Sequence, residues 1–260
     1  MTEPAFRPGV VDYERQAPHY SRGRSLSDSA AASWRGVVDR HFAPLHPTQV
    51  LDLGSGTGRF SPLLAEWLGC RVVGVEPSSG MRRSAQAAGA SPSVEYIGGT
   101  ATAIPLEANT FDAAWLAYMV HHVPDRKAGA RELVRVLRPG AIALVIGAYT
   151  PRRKDISLFK YFPEALVIAD NFATASEIEA DFAAGGLTFV AEEYVEHASV
   201  SSLTEAVERM SLRADSTLQL ISDEAFERGM ERLRAAAAAE KEPRPVTDKI
   251  DVLVFRNSKG

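Results

Sequence analysis

The sequence holds a single cysteine, Cys70, among its 260 residues. One thiol cannot form an intramolecular disulfide, and a zinc site built on several cysteines is excluded as well. No uncharged apolar run approaches the roughly 18 residues that a membrane-spanning helix needs. The N-terminal stretch MTEPAFRPGVVDYER also lacks the apolar core of a secretory signal. These absences predict a cytoplasmic protein without a membrane segment.

A strong excess of charge of one sign is also lacking. The formal net charge is −4, so the chain has no overall basic character of the kind that binds nucleic acid. Hydrophobic residues make up 45% of the chain and charged residues 24%, which excludes a disordered or low-complexity protein. We therefore expect a small-molecule partner, no nucleic-acid or membrane partner, and a monomer or homodimer.

Short apolar runs alternate with helical patterns along the first 150 residues. Five strands are predicted, at 49–53, 71–76, 94–98, 111–119 and 141–149. Four helices are predicted, at about 27–42, 60–68, 77–88 and 125–137. The strand segments are almost continuously apolar, which is typical of parallel strands that helices cover on both faces.

After residue 150 the pattern changes. An aromatic cluster lies within residues 151–173, and Thr174 with Glu177 forms a capping-box pattern before a helix that stops near Gly185. Two further strands with two helices between them complete the predicted order: 187–198, about 202–214, about 223–239 and 250–255. The helical insertion between the last two strands is large enough to cover a pocket.

The elements together predict an α/β fold with a seven-stranded, mostly parallel sheet and helices on both faces. We expect one domain over residues 1–260. Its predicted parts are an N-terminal helical cap at 1–46, a cofactor-binding core at 47–150, and a substrate-side lid with the last strands at 151–260.

The segment VLDLGSGTGRF, residues 50–60, carries the strongest functional signal. Gly54, Gly56 and Gly58 lie between a strand and a helix, where glycines let the backbone approach a ligand and the helix start offers free N–H groups. Glu76 follows Gly54 by 22 residues and ends the second strand. A carboxylate at that place can accept hydrogen bonds from ribose hydroxyls.

Asp52 distinguishes two kinds of adenosine-containing ligand. A nicotinamide-cofactor turn reads GxGxxG and would need a small residue where Arg59 stands, whereas the spacing here is GxGxG. A carboxylate two residues before the first glycine repels a pyrophosphate and attracts an ammonium group. S-adenosylmethionine carries an ammonium and a sulfonium and no phosphate, so the turn favours it. A dehydrogenase remains an alternative.

Four motifs in order resemble those of class I S-adenosylmethionine-dependent methyltransferases of the metal-independent, small-molecule kind. DLGSGTG is similar to the family's first motif, VVGVEPSSGM to the second, IGGTATAIPLEANTFDAAW to the third region, and VLRPGA precedes the fifth strand. The resemblance covers residues 10–150 closely and the last third in outline. It implies a Rossmann-like fold, S-adenosyl-L-methionine as cofactor, S-adenosyl-L-homocysteine as product, and no metal.

The resemblance also implies roles for residues that match the motifs. Asp52 and the glycines would surround the methionine moiety, and Glu76 would hold the ribose. Thr100, which replaces the usual aspartate, and Ala101 would face the adenine. Tyr20 and Arg24 match a Y-x-x-x-R pattern whose arginine either grips the cofactor carboxylate or is a solvated helix charge. The implied cofactor set is Tyr20, Arg24, Asp52, Leu53, Gly54, Ser55, Gly56, Glu76, Pro77, Met81, Thr100, Ala101 and Tyr118.

The fourth predicted strand ends in AYMVHHVPD, at the sheet edge where such folds bind ligands. Neutral imidazole can accept a proton near pH 7, so His121 and His122 are candidate general bases. Because they are adjacent, we expect them to point in different directions, with one of them only shaping the loop. Tyr118 and Tyr149 end two strands and either orient a substrate or pack in the core.

The expected reaction is in-line displacement at the sulfonium methyl, with the protein supplying alignment and exclusion of water. The acceptor would lie under residues 151–173 and 199–247. Two other functions stay open, because a fold does not fix a function. They are a cyclase or pericyclic catalyst that reuses the fold and cofactor, and a non-catalytic protein that binds the cofactor.

Overall fold

In the computed structural model the described residues are 14, 20, 21, 23, 26–89 and 91–258. Arg24 and its predicted contact therefore lie outside the described residues. The strands are β1 (Gln49–Leu53), β2 (Arg71–Glu76), β3 (Val94–Gly98), β4 (Phe111–Ala117), β5 (Leu137–Gly147), β6 (Thr188–Val200) and β7 (Val246–Arg256). Among the described residues, no helix has the length and apolar character to cross a membrane.

Within the described residues 26–89 and 91–258, ten helices surround the sheet. In the first half they are α1 (Asp28–His41), α2 (Ser61–Leu68), α3 (Ser79–Ala87) and α4 (Arg126–Val136). In the second half they are α5 (Ser157–Tyr161), α6 (Pro163–Ala169), α7 (Ala175–Gly185), α8 (Leu203–Ser211), α9 (Ser216–Leu220) and α10 (Asp223–Ala239). Short 3-10 turns occupy Ala43–Leu45, Val120–His122 and Pro151–Asp155.

The strands form one seven-stranded sheet in the order β3-β2-β1-β4-β5-β7-β6. Strands β1 to β5 pair in parallel, and β7 runs antiparallel to both β5 and β6. Helices pack on both faces, as the strand pattern predicts. Along β4, Ala114 and Leu116 join the core on the side of α4 and α7, whereas Ala113 and Trp115 join the core beneath α1 and α2. The predicted fold class is confirmed.

Local capping explains why several helices begin and end where the sequence predicts. The Ser27 hydroxyl accepts the Ala30 N–H at 3.2 Å at the start of α1. Gly69 ends α2 with φ +63°, a conformation that glycine adopts at low cost. The predicted capping box of Thr174 and Glu177 is present at the start of α7.

The structure corrects two features of the predicted element order: the limits of the fifth strand and the number of helices in the insertion. The strand predicted at 141–149 begins earlier, at Leu137, and ends at Gly147. The Pro139-Gly140 pair does not exclude the strand, because the β4–β5 register shifts there and the Gly140 N–H donates to the Asn257 carbonyl at 2.7 Å. The insertion between β6 and β7 holds three helices, since the five-residue α9 is too short to show a helical period.

The chain that leaves β5 toward the lid is tied to β7 by one buried carboxylate. Asp251 is 1% exposed and accepts the backbone N–H groups of Tyr149 and Thr150, each at 2.8 Å. It also accepts the Thr150 hydroxyl at 3.0 Å and two N–H groups of Arg152 at 3.1 and 2.8 Å. This carboxylate fixes the direction in which the lid departs from the sheet.

We expect Asp251→Ala to lower the free energy of unfolding by about 3–5 kcal/mol, because it leaves two buried N–H groups and a cation without their acceptor. Glu192→Ala is the matched control, since Glu192 pairs with the same Arg152 at 2.8 Å but its side chain is 39% exposed. That control should cost less than about 1 kcal/mol. Urea unfolding followed by circular dichroism measures both, and equal effects would contradict the anchoring role.

Candidate functional site

A cleft of about 490 Å³ lies where β1, β2 and β4 end. Its position agrees with the rule that parallel sheets bind ligands beyond the carboxyl ends of their strands. The walls are formed by Tyr20, Leu53, Gly54, Gly56, Val75, Glu76, Pro77, Met81, Gly99, Thr100, Ala101, Thr102, Ala117, Tyr118, Met119, His121, His122, Val123 and Pro124.

The cleft brings together most residues that the sequence singled out. Those lining it are Tyr20, Leu53, Gly54, Gly56, Glu76, Pro77, Met81, Thr100, Ala101, Tyr118, His121 and His122. Asp52 and Ser55 do not line the cleft, although both belong to the same strand and loop. Their roles toward a ligand, like those of the lining residues, stay predictions.

The glycine loop places two residues without side chains, Gly54 and Gly56, at the cleft wall. Gly54 and Gly56 have φ of +72° and +57°, a region that favours glycine. A Cβ at Gly54 would lie 2.7 Å from the Met119 Cβ, so a side chain has no room there. A Cβ at Gly56 would meet no protein atom within 4 Å, because this residue borders open space. A ligand can therefore approach the Gly56 backbone closely.

Three N–H groups of this loop, those of Gly54, Ser55 and Gly56, are already used within the protein. Those of Gly54 and Ser55 donate to the Val75 carbonyl at 2.8 and 3.3 Å. The Gly56 N–H donates to Oε2 of Glu76 at 3.0 Å. A phosphate site of the dinucleotide kind needs such donors to point at the ligand. These three donors are therefore not offered to a pyrophosphate, which favours a ligand without phosphate.

Glu76 is held rigidly at the end of β2. Its Oε1 accepts the Ser78 N–H at 2.9 Å, while Oε2 accepts the Gly56 N–H. The residue is 7% exposed, and burial raises the pKa of its carboxyl against the opposing effect of the two N–H donors. A carboxylate oxygen has more than one acceptor site, so both oxygens can still accept hydroxyl donors from the cleft.

Asp52 lies behind the loop and is 3% exposed. Its Oδ2 accepts the Ser61 hydroxyl at 2.6 Å. Burial raises the pKa of this carboxyl to about 7, and the charge of Arg59 acts in the opposite direction. Near pH 7 the group is thus close to half ionised, and a cationic ligand in the cleft would favour its charged form. Any effect of Asp52 on such a ligand is electrostatic, through the loop.

Both histidines line the cleft, whereas we expected one of them only to shape the loop. They lie in the 3-10 turn Val120–His122 that follows β4. Their ring centroids are 4.0 Å apart. His122 is open to solvent at the cleft, yet the surrounding protein desolvates its ring and lowers its pKa to about 4, so it is neutral at pH 7. The His121 ring stacks on Phe172 at 4.5 Å.

A second cavity, of about 200 Å³, lies between the sheet and the lid. Its apolar lining includes Leu26, Ile156, Leu158, Phe159, Tyr161, Phe172, Val200, Leu203, Met210, Leu218 and Leu233. Tyr20, Tyr118 and His121 line this cavity as well as the cleft. These three residues therefore form the boundary between a polar cleft and an apolar chamber, which we call the lid cavity.

The sequence analysis missed Arg59 as a residue of the site. Arg59 lines the lid cavity, and its guanidinium carbon lies 4.6 Å from the Phe60 ring centroid and 5.0 Å from that of Tyr118. In the sequence this arginine showed only that the turn is not GxGxxG. No spacing rule predicts the direction of a long side chain that follows such a loop.

Comparisons with known proteins identify relatives of this chain. The family model described as "Methyltransferase domain" matches residues 51–145. A demethylmenaquinone methyltransferase from Clavibacter sepedonicus is 29% identical over 181 residues, covering 66% of this chain and 74% of the relative. The chain spans between 49% and 74% of the length of the curated relatives compared with it.

Solved structures extend the similarity in fold to nearly the whole chain. A geranyl diphosphate methyltransferase in complex with S-adenosylmethionine is 19% identical, with a TM-score of 0.56, covering 96% of this chain and 92% of that one. The 4+2 cyclase SpnF is 19% identical, with a TM-score of 0.61, covering 92% of this chain and 85% of that one. At these identities the likeness concerns the fold.

Glu76→Ala should weaken the binding of S-adenosylhomocysteine, because a hydrogen bond to a charged group contributes about 1.5–3 kcal/mol. Isothermal titration calorimetry measures the loss. Glu95→Ala is the control, since Glu95 lies on the neighbouring strand β3 with its side chain 58% exposed. Unchanged affinity in Glu76→Ala would remove the ribose role from this residue.

Asp52→Asn should stabilise the protein more at pH 8 than at pH 5. The folded-state pKa of Asp52, about 7, exceeds the ordinary value of 3.8. The wild-type protein is therefore most stable at low pH, where this carboxyl is neutral, and its free energy of unfolding falls as pH rises toward 7. An asparagine stays neutral, and the variant should gain about 2–3 kcal/mol more at pH 8 than at pH 5.

Chemical unfolding of the wild type and the variant at the two pH values checks this expectation. Asp39→Asn, on the exposed side of α1 with a side chain that is 55% exposed, controls for a general charge effect. A stability difference that does not change with pH would show that the buried carboxyl of Asp52 does not titrate in this range.

Proposed function

Since the chain belongs to the class I S-adenosylmethionine-dependent methyltransferases, we propose that it methylates an apolar, planar acceptor of the quinol type. The observation that carries the proposal is the boundary formed by Tyr20, Tyr118 and His121, which line both the cleft and the lid cavity. A donor in the cleft and an acceptor in the lid cavity would meet at these residues.

The cleft residues bind the donor in this proposal. Glu76 accepts hydrogen bonds from the ribose, and the buried Met81 packs against the adenine. Thr100 and Ala101 lie at the adenine edge, while the Gly54–Gly56 loop lies beside the methionine moiety. When bound, S-adenosylmethionine supplies a methyl carbon whose bond to sulfur breaks with both electrons remaining on the sulfur.

The lid cavity binds the acceptor. Its lining is mainly aliphatic and aromatic, and Phe159, Tyr161 and Phe172 can pack against a planar ring. The name of the relative from Clavibacter sepedonicus refers to the methylation of a demethylated menaquinone, which supports an acceptor of the same chemical class. The cavity walls also exclude water from the reacting atoms.

His121 is the proposed general base. It lines both cavities, so its ring can reach a hydroxyl of an acceptor beside the donor. Removal of that proton makes the ring carbon next to the oxygen a nucleophile. The carbon then gains the methyl group, and its hydrogen leaves as a proton to bulk water. The restored aromatic oxyanion takes back the proton that His121 holds. His122 lines only the cleft, and its lowered pKa makes it a weak base.

Mass spectrometry of a reaction with S-adenosylmethionine and a short-chain demethylmenaquinol, kept reduced, tests the proposal. We expect a product that gains one methyl group on a ring carbon, located by nuclear magnetic resonance. S-adenosylhomocysteine binding without methylation of this or related quinols would contradict it. Rearrangement of an acceptor without a gain in mass would instead support the cyclase, the fold of which this chain shares.

Separate glutamine substitutions test the assignment of the base. His121→Gln should lower kcat by about 10²–10⁴-fold, because that is the usual contribution of a general base. His122→Gln should have a much smaller effect and serves as the matched control. Both variants should keep wild-type affinity for S-adenosylhomocysteine. Full turnover in both variants would mean that neither histidine acts as the base.

A further inference from the structure

We infer that Arg59 selects an acceptor with an acidic hydroxyl and stabilises it as an oxyanion beside the donor. This inference rests on the proposed function, and it adds a binding residue and a chemical requirement for the acceptor. It starts from the position of Arg59, which follows the glycine loop in sequence and yet lines the lid cavity.

The Arg59 side chain lies near the boundary between the two cavities. Its guanidinium carbon is 5.0 Å from the ring centroid of Tyr118, a residue that lines both of them. Tyr118 is held in place by its backbone, because its N–H donates to the Ile146 carbonyl at 2.7 Å. A permanent positive charge therefore lies close to the place where donor and acceptor would meet.

Among the described residues, the other charged and titratable residues of the lid cavity are Arg209, Asp215, Asp248, His121, His197, Tyr20, Tyr118, Tyr149 and Tyr161. Both oxygens of Asp248 accept hydrogen bonds from Ser157, at 2.8 and 3.1 Å. Asp215 accepts the N–H and hydroxyl of Thr217 at 2.9 and 2.6 Å. Arg209 pairs with Glu205 and donates to the Ser199 carbonyl. Asp248 is thereby held at the start of α5, whereas the charge of Asp215 also acts on the ring of His122 and so reaches the boundary between the two cavities.

The buried Asp52 is one negative charge that opposes Arg59. The Arg59 charge lowers the pKa of Asp52 from the value that burial alone would give, so the two groups interact through the loop. When Asp52 is neutral, the field of Arg59 in the lid cavity is stronger. A guanidinium beside a hydroxyl in an apolar cavity favours the ionised form of that hydroxyl.

In the proposed reaction this charge acts before methyl transfer. The acceptor hydroxyl gives its proton to His121, and the resulting oxyanion lies against the Arg59 guanidinium. The electron pair of the adjacent ring carbon then forms the new bond to the methyl carbon. An acceptor without an ionisable hydroxyl lacks the group that Arg59 recognises.

The probe 4-nitro-1-naphthol tests the inference without turnover, because its anion absorbs at a longer wavelength than its neutral form. With wild-type protein saturated with S-adenosylhomocysteine, we expect the bound probe to ionise at least one pH unit below the free probe, a tenfold change in the ratio of anion to neutral form. Arg59→Met should abolish the shift, and Arg59→Lys should restore part of it.

Two further variants sharpen the result. Arg35→Met is the matched control, since Arg35 lies on α1 with its side chain 57% exposed, and it should keep the full shift. Asp52→Asn removes the opposing charge and should enlarge the shift. Thermal unfolding of each variant shows that it is folded, and Arg59→Lys carries the comparison if Arg59→Met is unfolded.

The outcomes separate this inference from the proposed function. Methylation of the quinol by the wild type together with no probe binding, or with an unshifted bound probe, would overturn the role of Arg59 and leave the proposed function in place. A shift that persists in both Arg59 variants would also overturn it. Failure of quinol methylation would remove the proposed function, whatever the probe shows.

Discussion

The carboxylate of Asp251 holds the two halves of the molecule in a fixed relation. It lies in the last strand, and it receives the backbone of Tyr149 and Thr150 just where the chain leaves the sheet. A buried negative charge with several donors has one favourable arrangement, so the lid begins in a defined direction. Tyr149 and the following residues Ile156 and Ser157 line the lid cavity, whose shape therefore depends on this contact.

Hydrogen bonds within the glycine loop also shape the cleft. Glu76 and the Val75 carbonyl accept the N–H groups of Gly54, Ser55 and Gly56, which a glycine loop would otherwise offer to a phosphate. The hydrogen bond from the Gly56 N–H also holds the Glu76 carboxylate at the cleft wall. The same contact therefore removes a donor for an anion and positions a hydrogen-bond acceptor. The negative charges of Glu76 and Asp52 then set the electrostatic character of this end of the sheet.

The sequence predicted those parts of the fold that depend on short-range rules. Alternation of apolar strands with helices predicted the sheet, and the capping-box pattern of Thr174 and Glu177 predicted the start of a helix. The motifs predicted most residues that line the cleft, because strand ends and loops at one sheet edge meet in space. The early start of β5 and the short helix α9 depend on long-range pairing and packing, which no local pattern records.

Side-chain direction was the least predictable property. His121 and His122 both reach the cleft from the 3-10 turn that follows β4, and the half-buried Arg59 lines the lid cavity. Such directions depend on tertiary packing, and Phe172, which stacks on the His121 ring, comes from a distant part of the chain.

The separation of the two cavities bears on how such a protein can diverge. The matched methyltransferase domain ends at residue 145, before the chain enters the lid, and the lid meets the core through the boundary residues and the contacts on β7. Substitutions among α5, α6, α8, α9 and α10 can therefore reshape the lid cavity while the cleft wall stays unchanged. Under the proposed assignment of the two cavities, a chimera that keeps Asp248 and Asp251 but exchanges those helices would retain its donor and acquire a different repertoire of acceptors.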